Sequence, residues 1–472
     1  MNVNPRCACL PLLFLLAGCA EYSPRPLHPA AWLPRFQKRS LRAPAVTAFV
    51  ASQHLRLPKA FPQDWNLPAL VAAGWYYRPA LRQLRAQLAV ARAGLITAGE
   101  RPNPSVGFSP AYAFKSPPGT NPWVLGFNFN VPIETAGRRQ ARLAVARAQI
   151  QRVAYQVGQA AWDIRSQIRQ AWVNYWFSLH RLTLWRRQER LDRGNERIIQ
   201  ARFQGGRIAR PLLTAAQVAL EQAILARVRQ QGQVKVRRAE LAAALALPVA
   251  ALRTVRLLWP RWDYLPGMRA LSVGHLQRWA LLNRMDVRAL LAAYVAAEAN
   301  LKLQIARQYP NINLGPGYEF DQGANKFIFG FSAALPIFNQ NQGPIAQAQA
   351  QRLLAARRFE SLQTKVLNQT QVAWASYCSA WRQMRRSRRL IASQKRQVAA
   401  ALAGLAAGER SRLNLVEARQ ELVLLQLHQL AALENAQLAL GLLEDALQRP
   451  LAQPHDQPNP ARLLHRFTAA AK

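Results

Sequence analysis

Carboxylates are scarce in this chain. Its 472 residues hold 23 Asp and Glu against 63 Lys and Arg, a formal net charge of +40. The sole adjacent acidic pair, Glu444-Asp445, falls in a helical pattern, where a solvated face is expected. Cysteine is scarce too: Cys7, Cys9 and Cys19 crowd the N-terminus and Cys378 stands alone, which leaves no disulfide framework. The seven histidines are scattered, the four methionines form no copper-type cluster, and no HExxH, CxxC or P-loop pattern occurs. The expectation is therefore no catalytic constellation, no metal site, no cofactor and no enzyme. No long Ser/Gly-rich linker divides the middle of the chain into separate domains.

A basic chain of this kind ordinarily suggests nucleic acid or anionic lipid. The N-terminus argues against nucleic acid. "MNVNPRCACLPLLFLLAGCAE" has one early Arg6 and an apolar run from Leu10 to Leu16 that is too short to span a bilayer as a finished helix. It reads as an export signal. Leu16-Ala17-Gly18-Cys19 resembles a bacterial lipobox, which would make residues 1–18 a lipoprotein signal peptide and Cys19 the acylated first residue. Ala20 after it favours the outer membrane by the same resemblance; plain cleavage near Ala20 is the alternative.

The chain repeats itself at an offset of 202 to 206 residues. "AWVNY" (Ala171 to Tyr175) lies over "AWASY" (Ala373 to Tyr377), Gly206 over Gly408, and "VPIETAG" (Val131 to Gly137) over "LPIFNQNQG" (Leu335 to Gly343) with two extra residues. The organisation expected is a tail over 19–66, a first repeat over 67–250, a linker over 251–270, a second repeat over 271–451 and a C-terminal tail over 452–472. Each repeat reads as a helix, two strands, then two long helices. The strands fall at about 104–114, 122–132, 310–320 and 326–336. In each, an apolar, aromatic face alternates with a small or polar one, as Phe327, Phe329 and Phe331 do with Ile328, Gly330 and Ser332.

Strands of about ten residues, aromatic on one side and Gly, Ser or Asn on the other, fit a barrel wall between lipid and water. Four strands cannot close a barrel, and open edges cannot sit in lipid, so the chain must oligomerise. A trimer would supply about twelve strands and an aqueous passage. After Gly137 the sequence runs to Phe203 without proline, and Leu143, Ile150, Val157, Ile164 and Ala171 recur as a coiled-coil seam, with Val153, Ala161, Ile168 and Tyr175 between them. Such a helix would be roughly 100 Å long. "RFQGGRIARPLL" and "LAAGERSRLNLVEA" break the long helices in the two halves.

"ALPIFNQNQGPIAQAQA", the paired strands, the two-fold repeat and the element Gly408, Leu413, Leu415, Ala418 resemble the TolC-like outer-membrane efflux proteins over roughly Leu67 to Leu451. The resemblance implies a mixed α and β membrane protein: four strands per chain in a trimeric twelve-stranded β-barrel, continued by a long α-helical coiled-coil tunnel across the periplasm. It implies a passive exit duct of a tripartite efflux system, with an inner-membrane pump and a periplasmic adaptor as partners. "LPIFNQNQGPIAQAQA" and "LEDALQRPL" look more like the outer components of heavy-metal and cation systems of the resistance-nodulation-division type; drug or solvent efflux and type I secretion are the alternatives. A lipid-anchored, basic coiled-coil scaffold binding polyanions belongs to another class and leaves the strands unexplained.

The resemblance also places residues. The helical turns that meet the adaptor correspond to Gly205, Gly206 and Arg207 in one half and Gly408, Glu409 and Arg410 in the other. The acidic gate positions, six and nine residues beyond the second turn glycine, correspond to Asn414 and Glu417, with Leu212 and Ala215 in the first half. Arg410 and Arg412 are expected to hold Glu417 ionised.

Overall fold

The computed structural model describes residues 22–115, 117–260, 262–267 and 272–451, so the signal, Cys19 and the C-terminal tail lie outside the described residues. In chain order it comprises α1 (Trp32–Gln37), α2 (Pro44–Ala51), β1 (Asp64–Trp65), α3 (Leu67–Tyr77), α4 (Pro79–Gly99), β2 (Ser105–Tyr112), β3 (Trp123–Ile133), α5 (Arg138–Gln204) and α6 (Arg210–Ala244). Then follow β4 (Arg256–Leu257), α7 (Val273–Asn283), α8 (Met285–Ala306), β5 (Ile312–Asp321), β6 (Ala324–Ala333), α9 (Gln342–Ala406) and α10 (Arg412–Leu447).

Two helices precede each strand pair, where the pattern reads as one. The first break is set by Pro79, which holds Arg78 extended at ψ 121°. The second falls at Arg284, ψ 138°, without a proline. Both break residues are arginines that reach the end of the last helix of their own repeat: Arg78 Nη1 donates to Ala243 O at 3.5 Å, and Arg284 Nη1 to Ala446 O at 3.0 Å.

The sheet order is β2-β3-β5-β6, antiparallel throughout, so the two hairpins meet at β3 and β5 while β2 and β6 are left as edges. Gln322 and Gly323, at φ 47° and 104°, turn β5 directly into β6. β3 passes into α5 over residues 134–137 and β6 into α9 over residues 334–341, with Ala136, Gly137 and Asn341 in left-handed conformation.

α5, of 67 residues, and α9, of 65, form antiparallel pairs with α6 and α10 respectively, and α10 also packs along α5. The heptad positions Val153, Val157, Ala161, Ile164, Ile168 and Ala171 are buried, whereas Leu143, Ile150 and Tyr175 are half-buried. Residues 29–66, 251–260 and Trp262, expected as tail and linker, fold onto each other and onto α5. β1 pairs in parallel with β4, Asp64 takes Arg256 at 2.6 Å, and the Trp259 ring lies tilted against that of Trp172, 4.3 Å between centroids. Leu41, Val50 and Trp65 are fully buried there with Leu70 and Ile168.

Glu444-Asp445 is not on a solvated face. Glu444 is fully buried, pairs with Arg165 at 2.8 Å and Arg169 at 3.4 Å, and accepts from Leu451 N at 2.8 Å. Asp445 accepts from Trp162 Nε1 at 3.0 Å and from the Ser166 hydroxyl. The reason is the run "GLLEDAL": Leu443, Ala446 and Leu447 pack into a core with α7, α8 and α9, while the two acids meet Arg165, Trp162 and Ser166 of α5.

Candidate functional site: a strand wall and two helical turns

The sheet has two unlike faces, and its register shows why. Val106 lies opposite Phe129, Phe108 opposite Phe127, Leu125 opposite Phe320, Phe127 opposite Tyr318, and Leu314 opposite Phe331. All share one face, and much of it is bare: Phe327, Phe329 and Phe331 are 90%, 75% and 79% exposed. On the other face Gly107 pairs with Asn128, Gly126 with Glu319, Gly315 with Gly330, and Asn313 with Ser332. A continuous exposed aromatic surface backed by small polar groups has no place in a water-soluble sheet. It suits lipid on one side and water on the other. Among the described residues no helix is long and apolar enough to cross a membrane, which says nothing of a strand wall.

The junctions between wall and helices are pinned by arginines on backbone carbonyls. Arg138 donates to Ala306 O, Arg307 O and Tyr309 O and to Asn311 Oδ1, and Thr135 Oγ1 donates to Pro310 O at 2.6 Å. Arg139 donates to Gly99 O at 2.7 Å, and Arg142 to Ala98 O and Glu100 O while holding Glu134. The carbonyls at a helix C-terminus lack partners and carry partial negative charge, so a guanidinium satisfies both needs. In the second repeat Asn341 Nδ2 plays this part, donating to Gln304 O at 2.6 Å.

At the far end the two reversals are built alike. Gly206 stands at φ 69°, with Gly206 N bonded to Phe203 O and Arg207 N to Arg202 O, both 2.9 Å. Gly408 stands at φ 75°, with Gly408 N on Leu405 O at 3.2 Å and Glu409 N on Gly404 O at 2.9 Å. These are helix-ending motifs that need a left-handed residue. Gly205, Gly206, Arg207, Gly408, Glu409 and Arg410 are all exposed. The reversals are neighbours: Leu413, just after the second, packs into the cluster of Ile199, Leu213 and Ala216 beside the first.

The gate positions are placed less simply. Asn414 is exposed and occupied locally: its Oδ1 accepts from Ser411 N at 3.2 Å and its N donates to Ser411 Oγ at 3.4 Å, a reciprocal cap on α10. Glu417 is exposed one turn further on and forms no ion pair among the described residues. The pairing expected from Arg410 and Arg412 is absent. Arg410 instead lays its stem over Gly404, where an added Cβ would meet Cγ and Cδ at 3.0 Å.

Sequence reasoning missed the polar contacts buried between α5 and α10. Besides Glu444, they include Asp192, whose carboxylate accepts from Gln188 and Gln420. Their sign in the sequence is faint: an acid spaced from the apolar seam like its neighbours, in a stretch where exposed charges are cationic.

A wall built for lipid that runs unbroken into long paired helices defines a membrane conduit with an extended helical part. Comparison with known proteins agrees. The model of the outer membrane efflux protein family matches residues 77–247 and 276–447, the two repeats, and the chain belongs to that family. Its members are channels, not enzymes. The chain is 25% identical over 340 residues to the cobalt-zinc-cadmium resistance protein CzcC of Cupriavidus metallidurans, covering 68% of this chain and 76% of that one. Two solved structures share the fold: a membrane protein from Pseudomonas aeruginosa, with a TM-score of 0.65 at 20% identity over 81% of this chain and 92% of that one, and CusC, with 0.63 at 18% over 81% and 91%.

Proposed function

We propose that three copies of this chain form the exit duct of a tripartite efflux system that releases metal cations across the outer membrane. The observation that carries the reading is the sheet: four strands with one bare aromatic face and two unpaired edges, β2 and β6, that only further copies can satisfy. Joining β6 of one copy to β2 of the next, three times, gives a closed wall of about twelve strands, wide enough for an aqueous passage. The paired helices then carry the passage to the distal turns, which are the docking points for a periplasmic adaptor that links the duct to an inner-membrane pump. Gly205, Gly206, Arg207, Gly408, Glu409 and Arg410 form that docking surface. Metal cations are favoured over drugs or secreted proteins by the likeness to a cobalt-zinc-cadmium resistance protein. Cys19 is the acylated residue that tethers each chain to the outer membrane, where the family's channels reside.

Native mass measurement in mild detergent tests the assembly, and planar-bilayer conductance tests the duct. A three-chain mass with long-lived conducting events is expected. A monomer that keeps its full β-signal would overturn the reading. Loss of metal tolerance on deletion of the gene, restored by the intact chain but not by one with Gly408→Trp, tests substrate and docking together.

A further inference from the structure

The seam where α5 of the first repeat packs on α10 of the second carries a series of cross-contacts. Nearest the strands, Arg165 and Arg169 hold Glu444. Further along, Arg181 holds Glu434. At the distal turns Leu413 enters the cluster around Ile199. Between these last two lies Asp192, only 5% exposed. Its Oδ1 accepts from Gln420 Nε2 across the seam at 2.6 Å, and both its oxygens accept from Gln188 Nε2 at 3.1 Å.

The contacts at Glu444 and Glu434 match charge with charge; this one, like Asp445 with Trp162 and Ser166, sets a carboxylate against neutral donors, here two amides. On α5 the nearby Glu189 is held by Arg193 and by Arg227 of α6. Glu221 on α6 and Glu417, Arg419 and Glu421 on α10 make no ion pair with Asp192 among the described residues. Burial pushes the Asp192 carboxyl above its ordinary range, and the bonds from Gln188 and Gln420 offset that only in part.

We propose that Asp192 is a proton-operated latch on the α5–α10 seam: neutral, it holds the two helix pairs together near the distal turns, and ionised, it loosens them. The sign follows from linkage. A carboxyl raised in the folded protein contributes stability that is full below its unfolded value, about 3.9, and is lost as pH rises through the folded value. The neutral acid keeps the bond from Gln420 at Oδ1. The O–H at a protonated Oδ2 can donate a hydrogen bond to Gln188 Oε1, which is buried without a partner, once that amide turns. The neutral form thus stays bonded to both glutamines while no charge is buried. Because α5 belongs to one repeat and α10 to the other, loosening here frees α5 and α6 from α9 and α10 at the end that carries the turns. The inference rests on this packing and not on what the duct conducts.

Hydrogen exchange on the purified full-length protein in detergent reads the seam directly, with protection corrected for intrinsic exchange rates. Residues 185–204 and 412–424 should be several-fold better protected at about pH 4, near the unfolded carboxyl value, than at about pH 7.5. Asp192→Asn, which keeps shape and is always neutral, should give the high protection at both. Gln420→Lys supplies a cation and should reverse the pH difference, making the seam firmer at the higher pH; this variant carries the test if the first fails to fold. Arg181→Gln should lower protection at both pH values and leave the difference intact. Wild-type protection that is equal or lower in acid, or an unchanged pH difference in Asp192→Asn or Gln420→Lys, would overturn the latch.

Discussion

Glu444 shows how much one side chain can decide in a chain this basic. Burial drives its carboxyl upward, but Arg165, Arg169 and the backbone of Leu451 outweigh that and hold it below the usual carboxylate range. Its stabilising charge is therefore present above the ordinary glutamate value and is lost only as pH falls through the depressed folded one. Glu444→Gln leaves two buried guanidiniums without their counter-ion and should cost about 3–5 kcal/mol. Thermal unfolding of the detergent-solubilised protein by circular dichroism checks this, and a midpoint equal to wild type would show that the arginines find another partner. The turn glycines act through the backbone alone. A Cβ at Gly206 or Gly408 would meet nothing within 4 Å, yet both sit in the left-handed region. Replacement by Val should thus cost about 1–2 kcal/mol from conformation, with no clash to relieve. The glycines were legible because Gly-Gly and Ala-Gly follow long proline-free helices. Glu444 was not, because adjacent acids on a helix usually face water, and the packing that buries them comes from a helix some 280 residues away in sequence.

At the scale of elements, period-2 alternation located all four strands to within a few residues, since each face must keep its own solvent along its whole length. The ends shifted where local geometry rules. β6 begins at Ala324 because Gln322 and Gly323 alone make the turn, and it ends at Ala333 opposite Ile312, where its partner β5 begins. Pro79 marks the helix break at Arg78 in the sequence, although the reading as one helix passed over it; the break at Arg284 was not legible, because the helical period runs through it without a proline and its arginine reaches a distant carbonyl at Ala446. If the bare aromatic face meets lipid, its two sides must answer differently to charge. Phe329→Arg, on that face, should lower the stability of the inserted barrel by about 2–4 kcal/mol if it lies near mid-bilayer. Ser332→Arg, on the small polar face, should leave stability nearly unchanged and alter single-channel conductance instead. Heat-induced loss of the folded band on cold electrophoresis measures the first and planar bilayers the second; equal sensitivity at both positions would mean that the two faces do not see different solvents.

For the whole molecule, the excess of arginine has a partial structural account. Arg39, Arg138, Arg139, Arg142, Arg169 and Arg284 each donate to a backbone carbonyl on another element, several of them at helix ends where negative partial charge gathers. An elongated chain with many helix ends and little globular core uses guanidiniums as connectors. The balance is sharpened because some acids are withdrawn from the surface: burial raises Asp445 and Asp192, and Glu444 is spent on two arginines. On α9, the stretch from Arg382 to Arg396 holds seven exposed Lys and Arg and no acid. Three such chains around one passage would surround it with positive potential, opposed near the turns by three copies each of Glu409 and Glu417. At about 0.15 M salt that potential reaches only some 8 Å from the wall, so selectivity should depend steeply on ionic strength. In a salt gradient the reversal potential of the purified duct should show an anion preference at low salt that fades toward about 1 M, where screening closes to roughly 3 Å. Glu417→Gln should deepen that preference, since it removes an exposed negative charge shortly after the second turn. Cations released through such a duct must then be driven by the pump's delivery and not drawn in by the wall. A cation preference at low salt would place the arginines outside the passage, and an unchanged reversal potential in Glu417→Gln would place Glu417 there with them.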